Sequence, residues 1–229
     1  MTDFLSSGVF PILLTLLAFR IGQLCQEAWK KPIFNPTLIG AVLVIVFLLL
    51  TGRDAGAYTA GAAGISWLMT PATICLAIPM YEQFQLLRRD LKAIAVGVLA
   101  GVLSCLALLA VLGLLLGFER SLTISLLPKS VTTAIGVPLS QLYGGMSAVT
   151  TAAIIITGIL GNMFGATFCR WFRITDETAQ GVAFGTAAHV IGTAKANQIS
   201  PLTGAVSSLS LVVAGLLTAV LLPVVAGIL

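Results

Sequence analysis

The chain carries little charge for its length. Of its 229 residues, 12 are basic and 8 are acidic, so 9% are charged, whereas a soluble domain has roughly 25%. This scarcity excludes an ordinary soluble globular domain, and the high apolar content excludes disorder. The net charge of +4 forms no basic stripe, so binding to nucleic acid is not expected.

Metal ligands and catalytic motifs are also scarce. The four cysteines and the single histidine form no CxxC pair and no zinc-ligand spacing, so we expect neither a disulfide framework nor a metal site. No GxSxG, HExxH or Walker sequence is present, and we therefore expect neither an enzyme nor a cofactor. No basic residue precedes the first apolar run, which we interpret as a retained membrane helix rather than a signal peptide.

Apolar residues, in contrast, make up 58% of the sequence, and the mean hydropathy is +1.07. A membrane-spanning helix needs about 20 mostly apolar residues. The apolar runs are Gly8–Leu24, Thr37–Thr51, Gly56–Tyr81, Leu91–Phe118, Leu122–Tyr143, Ser147–Phe172, Ala179–Asn197 and Leu202–Leu229. The sequence therefore predicts an all-α polytopic membrane protein, with six to eight hydrophobic segments in the lipid bilayer and one integral membrane domain over residues 1–229.

Three of these runs are interrupted. Gly56–Tyr81 and Leu122–Tyr143 each contain two prolines, and Ala179–Asn197 is dense in glycine, alanine and threonine. Backbone leaves the helical path inside a membrane only where protein or water satisfies its polar groups. We therefore expect broken or re-entrant helices that line a cavity enclosed by protein. Whether the last two runs cross the membrane or re-enter stays open.

A weak internal repeat accompanies these breaks. Thr73–Pro79 and Thr132–Pro138 are similar, and a long apolar run follows each copy. Duplicated broken helices point to a transporter site built from inverted repeats, here with halves around 56–118 and 121–172. Two proline-broken apolar strings can also be alike by chance, so both interpretations stay open.

Lys129 is the first candidate for a binding residue. It lies between Pro128 and a Ser/Thr string inside an apolar run. Proline ends the incoming helix, and Ser130, Thr132 or Thr133 can cap a new one. A new helix N-terminus attracts anions, and a lysine beside it adds a full positive charge. The alternative is a lysine that extends to the membrane interface.

The single histidine marks a second candidate string. Gly-Thr-Ala occurs at Gly185 and again at Gly192, and a spacing of seven predicts that both copies share one helical face. His189 lies between the copies, and Lys195 follows the second. His189 is a candidate for carrying a coupling proton. The alternatives are close helix packing by the small residues and a hydrogen-bonded packing role for the histidine.

The charged and titratable groups predicted at membrane depth are cationic or neutral, apart from Glu82 at the end of a run. A cation path normally has Asp or Glu inside the membrane. The inventory therefore favours a small organic anion as the ligand. Arg20 is a weaker candidate, because it lies near a run end where it can extend to the interface.

Four strings together resemble the LrgB/CidB family of bacterial membrane proteins over nearly the whole chain. They are Asn35-Pro-Thr-Leu-Ile-Gly40, Pro71-Ala-Thr-Ile-Cys-Leu-Ala-Ile-Pro79, Leu127-Pro-Lys-Ser-Val-Thr-Thr133 and Gly185-Thr-Ala-Ala-His-Val-Ile-Gly-Thr-Ala194. The family's historical description is antiholin-like, or regulator of murein hydrolase export. Its plant relative is a chloroplast glycolate/glycerate translocator, and some bacterial members are tied to pyruvate uptake. Where this chain has Ala188 and Lys195, the family more often has Ser and Arg.

The resemblance implies a multi-pass protein of the bacterial cytoplasmic (inner) membrane that carries small monocarboxylates such as glycolate, glycerate or pyruvate. The alternative is an antiholin-like regulator of murein hydrolase export and cell lysis that acts through homo-oligomers and a small LrgA/CidA-type membrane partner. The predicted substrate-binding residues are Lys129, Ser130, Thr132, Thr133, His189, Gly192, Thr193 and Lys195, with Thr73, Arg20 and Asn35 as secondary candidates.

Overall fold

The structure is a computed structural model. It describes residues 9–29, 34–68, 71, 74–75 and 77–229. All regular secondary structure in these ranges is helical, which confirms the predicted all-α class. Two compact units are present, residues 1–75 and 76–229. This boundary lies within the first predicted repeat half, 56–118. The single integral domain and the inverted repeat stay predictions, and part of the first repeat copy lies outside the described residues.

The first unit contains four described helices. They are α1 (Val9–Trp29), α2 (Pro36–Thr51), α3 (Ala55–Gly61) and α4 (Ala63–Trp67). Helix α1 packs against α2 and α3. Glycine permits the close approach to α2, because a Cβ at Gly22 would lie 2.7 Å from the carbonyl oxygen of Pro36. Between α1 and α3, Thr15 and Tyr58 share a hydrogen bond of 2.5 Å through their hydroxyl groups.

The second unit contains the remaining described helices. They are α5 (Ala77–Glu82), α6 (Phe84–Leu115), α7 (Arg120–Leu126), α8 (Thr133–Leu142), α9 (Ser147–Trp171), α10 (Glu177–Ile199) and α11 (Pro201–Ile228). Helix α10 packs between α9 and α11, and α6 contacts both α10 and α11. Side-chain caps explain where two of these helices begin. Asp176 accepts a hydrogen bond from the Ala179 amide at 2.8 Å, and Ser200 accepts one from the Thr203 amide at 3.0 Å.

The main core of this unit joins α6 to α11. On α6, Ile94, Val98 and Val102 recur every four residues on one buried face, which is the spacing that places side chains along one side of a helix. They form one cluster with Ile124 of α7 and Val206 of α11. Packing against this buried face therefore holds α7 in place. It also holds the point where α7 ends and the chain leaves the helical path.

Within the described ranges, four helices are long and apolar enough to cross a membrane. The spans are Val9–Trp29, Leu87–Leu115, Ser147–Trp171 and Pro201–Ile228. Large apolar side chains on these helices are exposed, as expected where lipid is the solvent. Helix α2 is apolar but shorter. The run Leu122–Tyr143 is divided into α7 and α8, and α10 is kinked. The polytopic fold with broken helices is thereby confirmed.

Candidate functional site

The first break separates α7 from α8. Helix α7 ends at Leu126, and Pro128 has no amide hydrogen to continue the helical bonding pattern. Two turn hydrogen bonds replace it, from the Lys129 amide to the Leu126 carbonyl (3.1 Å) and from the Val131 amide to the Pro128 carbonyl (3.2 Å). Thr132 then takes the extended N-cap conformation of α8, but its side chain makes no capping hydrogen bond. The start of α8 thus has unfilled capping capacity.

Lys129 lies within this break. Its side chain is half-buried, and its Nζ donates a hydrogen bond to Ser130 Oγ at 3.3 Å. Ser130 Oγ also lies 3.5 Å from Cys105 Sγ on α6. Within the described ranges no carboxylate comes into ion-pair distance of Lys129, and the salt bridge found there joins Arg20 to Glu27 instead. The ammonium group therefore has a weak neutral partner and no counter-charge.

The second break lies inside α10. Ala188 has φ −131° and ψ 16°, and His189 has φ 42° and ψ −142°. Positive φ is unfavourable for a residue with a side chain and costs on the order of 1–3 kcal/mol. The break falls between the two Gly-Thr-Ala copies, so they do not lie on one continuous helix. The expectation of a shared helical face is corrected, because that expectation assumed an unbroken helix.

Side chains donate hydrogen bonds to two backbone carbonyls at this second break. Thr193 Oγ1 donates to the His189 carbonyl at 2.9 Å and also bonds Ser207 Oγ of α11 at 2.8 Å. From α9, Asn162 Nδ2 donates to the Ile191 carbonyl at 2.8 Å. Such substitution by neighbouring side chains is what makes broken helices tolerable in a membrane. The bonds link α10 to both of its neighbouring helices.

The His189 ring faces α9. Its side chain is 4% exposed, and Nε2 lies 3.0 Å from the Ile154 carbonyl oxygen. A carbonyl only accepts, so Nε2 carries the hydrogen. One turn further along α9, Gly158 makes room for the ring, since a Cβ there would lie 2.6 Å from His189 Cε1. Lys129 and Ala188, the residue before His189, line one cavity, so the two breaks lie close to each other.

A cavity of about 320 Å³ extends from Lys129 along the groove between α9 and α10. Lys129 is the one charged residue among the described residues that line it. Most of the others are apolar, including Leu160 and Phe168 of α9 and Phe184 of α10. Small residues such as Gly161 form part of the wall. The arrangement combines one cation with an apolar wall.

The other predicted residues are distributed around the two breaks. Thr133 begins α8 and is half-buried. Gly192 is buried, and a Cβ there would lie 2.9 Å from the Phe184 carbonyl oxygen, so glycine permits the tight turn of α10. Lys195 Nζ donates to Gln198 Oε1 at 3.3 Å on its own helix, and Lys195 is not among the residues that line the cavity.

The secondary candidates belong to the first unit. Arg20 is exposed, donates to Gln23 Oε1 at 3.2 Å and lies 3.9 Å from Glu27. Asn35 caps α2, where its Oδ1 accepts from the amides of Thr37 (2.9 Å) and Leu38 (3.3 Å). These contacts give both residues local partners. Thr73 lies outside the described residues.

Sequence reasoning missed several polar residues near the breaks. The Thr186 and Ser210 hydroxyls are buried without a hydrogen-bond partner. Thr186 lines a small cavity of about 10 Å³ with Cys105 and Ser130, enough for about one water molecule. Asn162, which braces the second break, is the residue a sequence signal could have found, as an amide within a long apolar run. Among the described residues no group of three or more His, Cys, Asp or Glu side chains could hold a metal ion.

The chain is similar to known bacterial proteins over nearly its whole length. The sequence model of the LrgB-like family matches residues 15–228. Holin-like protein CidB of Staphylococcus epidermidis is 31% identical over 224 residues, covering 98% of this chain and 97% of that protein. The protein of the same name from Staphylococcus aureus is 30% identical with the same coverage. Uncharacterized protein YwbG of Bacillus subtilis is 34% identical over 213 residues, 92% of this chain and 94% of YwbG. No solved structure matches the chain.

The family match covers both breaks. It includes the residues around Lys129 and around His189 as well as the long apolar helices. The long apolar helices and the holin-like relatives together indicate that the chain is a multi-pass membrane protein. The chain belongs to the LrgB-like family.

Proposed function

We propose that the protein is a carrier for small organic monocarboxylates, of the glycolate, glycerate or pyruvate kind, in the bacterial cytoplasmic membrane. The observation that carries the proposal is the half-buried Lys129 ammonium, which has no carboxylate partner among the described residues. A charge at membrane depth is costly, by about 2.5–3.5 kcal/mol on insertion scales. A bound carboxylate would supply the missing counter-charge.

The residues around Lys129 have the chemistry to complete such a site. The carboxylate would accept hydrogen bonds from Lys129 Nζ and from free amides at the start of α8, where the Thr132 side chain leaves the cap unfilled. His189 lies in the second break directly after Ala188, which lines the same cavity as Lys129, and is the candidate for a coupling proton. Movement of one group of helices against another would then open the site in turn to each side of the membrane.

The names of the relatives favour a second candidate more than they favour the carrier. Two of the similar proteins are called holin-like, and none of the three carries a name that mentions a carboxylate. On that interpretation the chain regulates murein hydrolase export and cell lysis. It would act through homo-oligomers and a small LrgA/CidA-type partner. The exposed apolar helices are compatible with such contacts.

Uptake by proteoliposomes tests the carrier. Purified protein is reconstituted, and entry of labelled glycolate and pyruvate is measured against concentration. Lys129→Met keeps much of the side-chain length but removes the charge, and we expect kcat/KM to fall at least tenfold, the loss of one charge-assisted hydrogen bond of about 1.5–3 kcal/mol. The matched control is Lys92→Met, because Lys92 is exposed on α6.

The two candidates give different outcomes. Saturable uptake that is lost in Lys129→Met and kept in Lys92→Met supports the carrier. Dye leakage from the vesicles, or partner-dependent lysis without saturable uptake, supports the holin-like regulator. Unchanged uptake in Lys129→Met would remove Lys129 from the site and with it the observation on which the proposal depends.

A further inference from the structure

The cavity beside Lys129 is larger than a two- or three-carbon acid needs. Its volume is about 320 Å³. It reaches the lower end of the size range of about 300–1,000 Å³ that drug-sized ligands occupy in proteins. A ligand that uses only the charged end would leave most of the apolar wall in contact with nothing but water or lipid.

The wall beyond Lys129 is suited to hydrocarbon. Leu160 and Phe168 line one side and Phe184 lines the other, while Ala183 and Gly161 keep the passage open. These side chains offer no further charge. A second carboxylate on the ligand would therefore be desolvated without a partner, and hydroxyl groups along the chain would lose hydrogen bonds to water.

We infer that this cavity binds aliphatic monocarboxylates with chains of about four to eight carbons, with the carboxylate at Lys129 and the chain between α9 and α10. This inference rests on the proposed function, because it uses the same ammonium group as the anion site. It adds a specificity: longer aliphatic monocarboxylates bind better than two-carbon acids, and dicarboxylates and hydroxylated acids of equal length bind worse.

A binding series tests the chain-length dependence without requiring transport. Purified protein in phosphatidylcholine nanodiscs is titrated with acetate, butyrate, hexanoate and octanoate, and affinity is measured by calorimetry. Burial of each methylene is worth about 0.8 kcal/mol when complete, so in this half-open groove we expect about a two- to fourfold gain in affinity per carbon, up to the length of the cavity. Adipate and the uncharged hexanamide should bind at least tenfold more weakly than hexanoate. Hexanamide also controls for partition into the bilayer.

A substitution that fills the cavity tests whether the ligand chain binds there. Ala183 lines the groove on α10, and in Ala183→Phe the new ring would occupy the space of the ligand chain. We expect hexanoate affinity to fall by about tenfold, toward that of acetate. The matched control is Ala194→Phe, on the same helix at an exposed position that is not among the cavity-lining residues. Its chain-length series should equal that of the unmodified protein.

The outcomes separate this inference from the proposed function. Equal affinity for acetate and hexanoate, with uptake of glycolate or pyruvate intact, overturns the inference and leaves the carrier standing. Chain-length-dependent binding without any uptake supports the cavity assignment and removes the carrier. Chain-length dependence that persists unchanged in Ala183→Phe also overturns the inference, because binding is then located elsewhere.

Discussion

The two breaks in the second unit differ in how their polar groups are satisfied. At the break in α10, the His189 carbonyl, the Ile191 carbonyl and the His189 ring all have hydrogen-bond partners on the protein. At the break between α7 and α8, the Ser130 hydroxyl is the one hydrogen-bond partner of Lys129 among the described residues, and the Thr132 side chain makes no capping bond. At the α10 break these groups bond other parts of the protein, whereas the α7–α8 break leaves a cation with no counter-charge in the part of the chain that the structure describes.

This difference shows that a broken helix in a membrane does not by itself mark a ligand site. Freed backbone groups must be satisfied by something, and at the α10 break side chains bond the His189 and Ile191 carbonyls. That makes His189 part of a brace that holds α9, α10 and α11 together, as well as a neighbour of Lys129. The unsatisfied break is the better place for a ligand, because a ligand there supplies what the protein does not.

The largest expected loss of stability comes from a substitution at the break in α10. Gly158→Leu would place a side chain where the His189 ring now lies, since even a Cβ would be 2.6 Å from Cε1. Helices α9 and α10 would have to separate, and we expect a loss of about 3 kcal/mol in the free energy of unfolding. Thermal unfolding of the purified protein in detergent measures it.

Gly227→Leu is the control for that substitution. A Cβ at Gly227, on α11, meets no atom within 4 Å, so stability should change by less than about 0.5 kcal/mol. If Gly158→Leu were as stable as Gly227→Leu, the tight seating of His189 on α9 would be contradicted.

A smaller effect is expected when the brace loses a hydrogen bond. Thr193→Val keeps the shape of the side chain but leaves the His189 carbonyl and Ser207 Oγ without this partner. We expect unfolding free energy to fall by about 1–2 kcal/mol. Thr59→Val serves as control, because the Thr59 hydroxyl is exposed and bonds only its own helix. Equal stability of the two variants would argue that the second break does not depend on Thr193.

Much of the fold follows from the sequence for simple reasons. Long apolar runs such as those of α6, α9 and α11 have one stable outcome in a membrane, a helix. The bounds of α9 and α11 agree closely with the predicted runs, whereas α6 begins at Phe84, ahead of the predicted Leu91. Pro128 likewise predicted a break, because proline removes an amide donor wherever it lies in a helix. These signals are local, and local signals can be read from one sequence.

The kink at His189 was not predictable in the same way. The run Ala179–Asn197 was expected to be broken, but no proline marks the position of the break, and the seven-residue spacing of Gly-Thr-Ala predicted one helical face across it. The kink depends on partners far along the chain, Ile154, Gly158 and Asn162 on α9 and Ser207 on α11. The cavity depends on the same pairing of α9 with α10. Lys129 and His189 could be named from their rarity, but that Lys129 and the α10 break line one cavity follows from the packing of the helices.

The smallest expected loss of stability concerns the N-cap of α8, at the break between α7 and α8. Thr132 occupies the N-cap of α8 without a capping bond, whereas Ser200 caps α11 with a bond of 3.0 Å to the Thr203 amide. Ser200→Ala should therefore cost about 1 kcal/mol of unfolding free energy, and Thr132→Ala less than half of that. Amide hydrogen exchange over the first turn of each helix would resolve the two effects in one experiment. If Thr132→Ala destabilised α8 as much as Ser200→Ala destabilises α11, the Thr132 hydroxyl would already be engaged in capping, and the start of α8 would have less to offer a carboxylate.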